Sequence, residues 1–226
     1  FDVNGTYVNN GMLNAENVEV TTVNGSLTNN GKAWYDDMTV GETGSSVNVG
    51  YEQGDILTVE GTHENTGVSI WNEVVINGSG TNGAALPEDA PVGWEEGFTS
   101  DAILQIGTAQ KPENAFDVNG SYVNNGILNA ENVEVTTVAG NLANNGQALY
   151  DDMTVGDKGS SLNVGYEQGD ILTVEGTHEN TGVSIWNEVV INGSGTNGAA
   201  LPEDAPLGHE EGFKSDAILQ IGTAEK

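Results

Sequence analysis

The chain has 226 residues, of which 34 are Asp or Glu against five Lys and no Arg, for a formal net charge of −29. That balance excludes nucleic-acid binding, which uses Lys and Arg to displace counterions from phosphates, and it opposes contact with an anionic membrane surface. With no cysteine there is no disulfide, no thiol catalysis and no Cys-ligated zinc or iron, and three His supply a His-rich metal centre poorly.

No run of about 18 apolar residues reads as a membrane-spanning helix. The first residues, Phe1-Asp2-Val3, carry neither an initiator Met nor a signal peptide, and the same triplet returns at Phe116. A start on a repeat boundary predicts a segment of a longer array. Residues 1–111 and 116–226 align without a gap and differ at 14 positions, so the chain divides into tandem units at 1–115 and 116–226. Exchanges such as Met12 to Ile127 and Val47 to Leu162 keep apolar character and read as core. Lys32 to Gln147 and Thr43 to Lys158 change polarity freely and read as surface.

Within each unit a shorter period runs along the chain. Residues 4–20 read NGTYVNNGMLNAENVEV and residues 24–40 read NGSLTNNGKAWYDDMTV. Residues 44–59 and 61–76 hold the same register at slightly shorter spacing. A fifth copy begins at Gly78, breaks off into residues 85–100, and resumes at Asp101 as DAILQI. Alternation such as Val18-Glu19-Val20 and Leu57-Thr58-Val59 has the period of two expected of half-buried strands. The recurring glycines suit positive φ at tight corners. One Asn recurs in every copy: Asn9, Asn29, Asn48, Asn65 and Asn82, then Asn124, Asn144, Asn163, Asn180 and Asn197. In a coil whose turns lie on one another, these side chains stack about 4.8 Å apart and hydrogen-bond along the stack. Separate hairpins of a sandwich would also use Asn and Gly as turn formers, but they do not require one fixed register. The expected architecture is an all-β parallel β-solenoid of about ten coils, roughly 48 Å long, with almost no helix.

The VNNGMLN and LTNNGKA phrases, in this register, resemble the passenger and stalk regions of bacterial autotransporters and filamentous haemagglutinin-like adhesins. The resemblance covers nearly the whole chain and rests on a Gly/Asn rung. It implies a right-handed parallel β-helix in an extracellular or cell-surface setting. It also implies a structural stalk rather than an enzyme, neighbouring repeats of the same chain as packing partners, and a host-surface glycan or protein as the partner of its side loops. The chain departs from those families in lacking Arg and in the near identity of its two units.

Two interruptions are the candidate sites, because a regular coil does not need them. The larger carries Glu88, Asp89, Trp94, Glu95, Glu96 and Phe98; its copy carries Glu203, Asp204, His209, Glu210, Glu211 and Phe213. Carboxylates beside an aromatic suit a sugar face or Ca²⁺. Alternatively Leu86, Pro87, Val92 and Phe98 fold the loop over the solenoid as a lateral cap. The smaller interruption, residues 107–115, reads as a turn. No cofactor is required, with Ca²⁺ the one candidate ion; its GGxGxDxUx β-roll motif is absent.

A polysaccharide lyase or hydrolase on a β-helix is the rival reading. Lyase chemistry calls for a basic residue, and Arg is absent. A hydrolase needs two facing carboxylates, whereas Asp36-Asp37 and Glu95-Glu96 are adjacent pairs, which a strand points to opposite faces. An ice-binding solenoid would show a Thr ladder, and none is read in register here.

Overall fold

The computed structural model describes residues 1–84, 101–107, 114–198 and 217–222. The first unit runs β1 (Asp2–Val3), β2 (Thr6–Asn9), β3 (Met12–Val23), β4 (Ser26–Asn29), β5 (Lys32–Val40), β6 (Ser45–Asn48), β7 (Tyr51–Val59), β8 (Thr62–Asn65), β9 (Val68–Ile76), β10 (Ser79–Asn82) and β11 (Ile103–Ile106). The second repeats the order with β12 (Ala115–Val118), β13 (Ser121–Asn124), β14 (Ile127–Val138), β15 (Asn141–Asn144), β16 (Gln147–Val155), β17 (Ser160–Asn163), β18 (Tyr166–Val174), β19 (Thr177–Asn180), β20 (Val183–Ile191), β21 (Ser194–Asn197) and β22 (Ile218–Ile221). None of the described residues is helical.

Each turn of the coil is one short strand followed by one long one. The short strands stack in parallel as one sheet and the long strands as another, each strand pairing with the turn before and the turn after. Nine such turns, β2–β3 through β19–β20, make a parallel β-solenoid, with β1 and the β21–β22 pair belonging to partial turns at its ends. The joint between units is part of the same stack: β10 pairs β13, β11 pairs β14, and β12 pairs both β9 and β14.

The long strands turn a corner of their own. In β5, Ala33, Tyr35, Met38 and Val40 are buried, so Asp36 and Asp37 both point outward in succession. Pairing with β7 breaks at the same place, between Trp34 and Asp37. A coil thus has three straight segments, and the alternation expected of a flat strand is interrupted once per turn. The adjacent carboxylates therefore share an outer corner instead of occupying opposite faces. In β3 and β14 the corner takes up extra residues, shifting register between Ala15 and Val20 and between Ala130 and Val135.

Inside, columns of like position fill the core. Ala15, Tyr35, Gly54, Trp71 and Ile106 stack in successive turns. Tyr35 and Trp71 lie parallel with centroids 5.9 Å apart, and a Cβ on the intervening Gly54 would overlap the Trp71 ring. A large aromatic thus occupies the height of two turns, which only glycine allows.

The recurring corner glycines serve a different purpose from the positive φ expected of them. Positive φ occurs only at Gly83, Gly107, Gly198 and Gly222 among the described residues. At the other corners the backbone of one turn sits directly on the next. A Cβ on Gly31 would overlap the Gly11 carbonyl oxygen, and one on Gly50 the Gly31 carbonyl oxygen. Gly11, in the first turn, would meet nothing within 4 Å. Gly31→Ala is expected to cost about 1–3 kcal/mol in urea unfolding, as overpacking does, while Gly11→Ala stays near neutral. Equal effects would contradict this stacking account.

Hydroxyls recur in register, contrary to the sequence expectation. Thr22, Thr39 and Thr58 align on the long strands, as do Thr137, Thr154 and Thr173. The first residue of every short strand is Ser or Thr except Asn141. The Thr runs escaped notice because they end after three turns, at Val75 and Val190.

Candidate functional site

The recurring Asn forms one continuous hydrogen-bonded column. Each Nδ2 donates to the Oδ1 of the next at 2.7–2.8 Å, from Asn9 through Asn29, Asn48, Asn65, Asn82, Asn124, Asn144, Asn163 and Asn180 to Asn197. The same Nδ2 also reaches a main-chain carbonyl of the following turn, for instance Asn48 to Val68 O at 2.9 Å. Every ladder Asn but the last is buried. These side chains satisfy the backbone where the short strand turns into the long one, so they serve the coil and offer no outward surface.

The insertion residues Glu88, Asp89, Trp94, Glu95, Glu96 and Phe98, with Glu203, Asp204, His209, Glu210, Glu211 and Phe213, lie outside the described residues. The two insertions they belong to join β10 to β11 and β21 to β22.

Two carboxylate groupings emerge instead at the third corner. Asp36 and Asp37 on β5 meet Asp55 on β7, one oxygen from each lying within 4.8 Å of the others; Asp151, Asp152 and Asp170 repeat the arrangement. Asn72 Nδ2 donates to Asp55 Oδ1 at 2.7 Å, and Asn187 Nδ2 to Asp170 Oδ1. These are hard oxygen donors of the type Ca²⁺ takes, and an ion there would draw the rest of its about six to eight ligands from water. A single sequence does not reveal the grouping, because it depends on the corner bringing two neighbours to one side.

Crowding shows in the proton affinities around these corners. Glu73 is raised above the ordinary glutamate value by partial burial, then by the charges of Asp117, Asp55 and Asp37. Asp152 is raised by partial burial, opposed by the N–H of Ile171 and reinforced by Asp151, Asp170 and Glu134. Both groups hold protons more tightly folded than unfolded. Their stabilising contribution is therefore present below the ordinary carboxylate range and lost as pH rises through the raised folded values. Urea unfolding at about pH 5 is expected to give a higher stability than at pH 7, with added salt narrowing the gap. A stability that falls steadily on acidification through that window would contradict it.

A second polar grouping lies wholly inside the coil. Glu52 Oε1 accepts from Ser69 Oγ at 2.7 Å, and Ser69 Oγ accepts in turn from Trp71 Nε1 at 2.8 Å. His63 Nε2 stands 3.1 Å from the same Glu52 oxygen. The second unit repeats the set with Glu167, His178, Ser184 and Trp186. The Tyr35 phenol is pushed well above its ordinary value by burial, then by the Glu52 carboxylate and Tyr7. Glu52 has no accessible surface and His63 almost none, so the two side chains pack one turn against the next. Sequence reasoning missed it because charged residues default to the surface. The signal was positional: Glu52 occupies the inward slot of Ala33 and Ser69, and His63 that of Leu27 and Ser46.

In comparisons with known proteins, no family model matches the chain, and no curated protein or solved structure matches it either.

Proposed function

We propose that the chain is a rigid, repetitive spacer: a stalk segment of a large fibre, secreted by or anchored on a bacterial cell, that carries its acidic insertions outward. The observation behind this reading is the uninterrupted pairing of β10 with β13 and of β12 with both β9 and β14. A stack without a hinge transmits length, and each added unit lengthens the rod. The insertions after β10 and β21 leave the same corner five turns apart, a separation of about 24 Å at the rise of stacked strands. Weak contacts repeated at that spacing with a host-surface glycan or protein gain by avidity, so no single loop needs a deep pocket. The net charge of −29 keeps such rods apart in solution.

Deleting residues 87–98 and 202–213 from a surface-displayed array, then measuring adhesion and rod length, separates presentation from reach. Unchanged adhesion with an intact rod leaves the spacer role alone. Loss of adhesion assigns the loops a ligand, with His209 making the second copy sensitive to pH. A Ca²⁺-dependent glycan-binding module is the second reading, favoured by the Asp36–Asp37–Asp55 grouping and its copy. A rise in melting temperature with millimolar Ca²⁺ that Asp55→Asn abolishes would support that module; no rise would remove it.

A further inference from the structure

Charge is confined to part of the rod's circumference. In the first straight segment of the long strands, inward side chains are buried and the outward slots run Lys32 and Trp34 on β5, Tyr51 and Gln53 on β7, and Val68 and Ile70 on β9. The second unit repeats them, with Gln147 and Leu149 in place of Lys32 and Trp34. No outward slot of this segment holds a carboxylate in any described turn, although the chain carries 34. Its two acids, Glu52 and Glu167, point inward and are buried. The carboxylates lie beyond, at the third corner with Asp36, Asp37 and Asp55 and on the following segment with Glu73. The short-strand side is less clear of them, because Glu64 and Glu179 point outward there.

This side also has the make-up of a contact surface. The core of an interface is depleted in charge and enriched in aromatic side chains. Trp34 and Tyr51 meet with ring centroids 6.1 Å apart, and Val68 and Ile70, half-buried, continue the apolar surface. The Tyr51 hydroxyl donates to Gln53 Oε1 at 2.6 Å, and the Tyr166 hydroxyl to Gln168 Oε1 at 2.5 Å. Covering the side therefore leaves both phenol donors satisfied. Strand pairing here runs residue for residue, and the register shifts only at the third corner, so the side is flat enough to lie against another sheet. These residues all belong to turns paired on both sides.

We propose that two copies of the chain lie side by side through this carboxylate-free side, their outward side chains interdigitating as in stacked sheets. A copy with a net charge of −29 repels another wherever carboxylates face each other, so the uncharged side is where a second copy meets least repulsion. One such side per copy makes the contact self-complementary, and association stops at a pair. Over the nine turns the segment is about 13 Å wide and about 43 Å long, so a pair buries about 1,100 Å², in the range of weak specific contacts. Added units lengthen the contact, and salt strengthens it by screening the flanking carboxylates. The inference rests on the distribution of charge and goes beyond the spacer reading, which holds for single rods and paired ones alike.

Sedimentation velocity on the whole chain, at rising concentration and at about 0.02 and 0.5 M NaCl, tests it. The expected species are 23.5 kDa and twice that mass, with more of the pair at high salt and nothing larger. The double variant Gln53→Glu with Gln168→Glu keeps side-chain shape and sets like charges within the contact, so it should stay monomeric. Thr62→Glu with Thr177→Glu adds the same charge at exposed positions of the short-strand side and should pair like wild type. Circular dichroism and urea midpoints check that both variants keep the fold. Four results would overturn the proposal: wild-type chain monomeric at high concentration and salt, species growing past the pair, the glutamine variant pairing like wild type, or the two variants losing the pair equally. The last would make association a matter of net charge and not of this side.

Discussion

Asn48→Ala is expected to lower stability to urea by about 3 kcal/mol, at roughly 1 kcal/mol net for each hydrogen bond lost. Asn48 accepts from Asn29 and donates to Asn65 and to Val68 O. Removing it leaves Asn29 its bond to Tyr51 O and Asn65 its bond from Gly67 N, but takes from Val68 O the amide that reached it across the turn. None of the vacated positions is open to water, because Asn48 is fully buried. Asn197→Ala is the control. That residue closes the column, is exposed, and receives a bond only from Asn180 among the described residues. Its loss should cost about 1 kcal/mol or less. Equal small effects at both positions would mean the column is decoration on a coil held by its core alone.

Breaking the internal acid–imidazole pair is expected to cost about as much or more. Glu52→Leu takes the carboxylate from beside His63 and leaves Ser69 without its acceptor, and each buried polar group left unpaired costs about 1–3 kcal/mol. Replacing both partners, Glu52→Leu with His63→Leu, removes both buried polar side chains together, and such exchanges are often near neutral. The double variant should therefore recover most of the loss. A double variant that is worse than either single change would show that the network specifies the packing of Tyr35 and Trp71 beyond its electrostatics. Glu167 and His178 offer the same experiment in the second unit.

The solenoid itself was legible because one Asn and the Gly four residues before it recur at a fixed offset in every turn, and only stacked coils impose that on all copies at once. The reason for the glycines was not legible. Composition suggests positive φ, while the structure uses Gly31 and Gly50 for close backbone approach between turns, which is visible only once the stacking distance is known. The third corner was hidden because no glycine or proline recurs there: Gly54 precedes it in β7, but β3, β5 and β9 carry none, and Asp36-Asp37 looks like a lapse in alternation until both are found outside. Glu52 and His63 were hidden by their own chemistry, since a charged residue in an inward slot runs against composition. Laying the short strands under one another would have exposed His63 beneath Ser46 and the column of hydroxyls from Thr6 to Ser194, broken at Asn141. The Glu88–Phe98 and Glu203–Phe213 insertions were singled out by their departure from the register, and their chemistry remains the business of the adhesion experiment.

The central claim is that the two units form one stack with no hinge between them. The absence of cysteine lets two spin labels be placed uniquely, through Thr6→Cys and Ser121→Cys on the outer side of the short strands. Five turn-to-turn pairings separate those residues, and at about 4.8 Å per turn their backbones lie about 24 Å apart. Double electron–electron resonance should give a single narrow distribution near that distance, after allowance for the label arms. A broad distribution, or one centred well beyond it, would mean that the units are joined by a flexible linker and that the continuous rod does not exist.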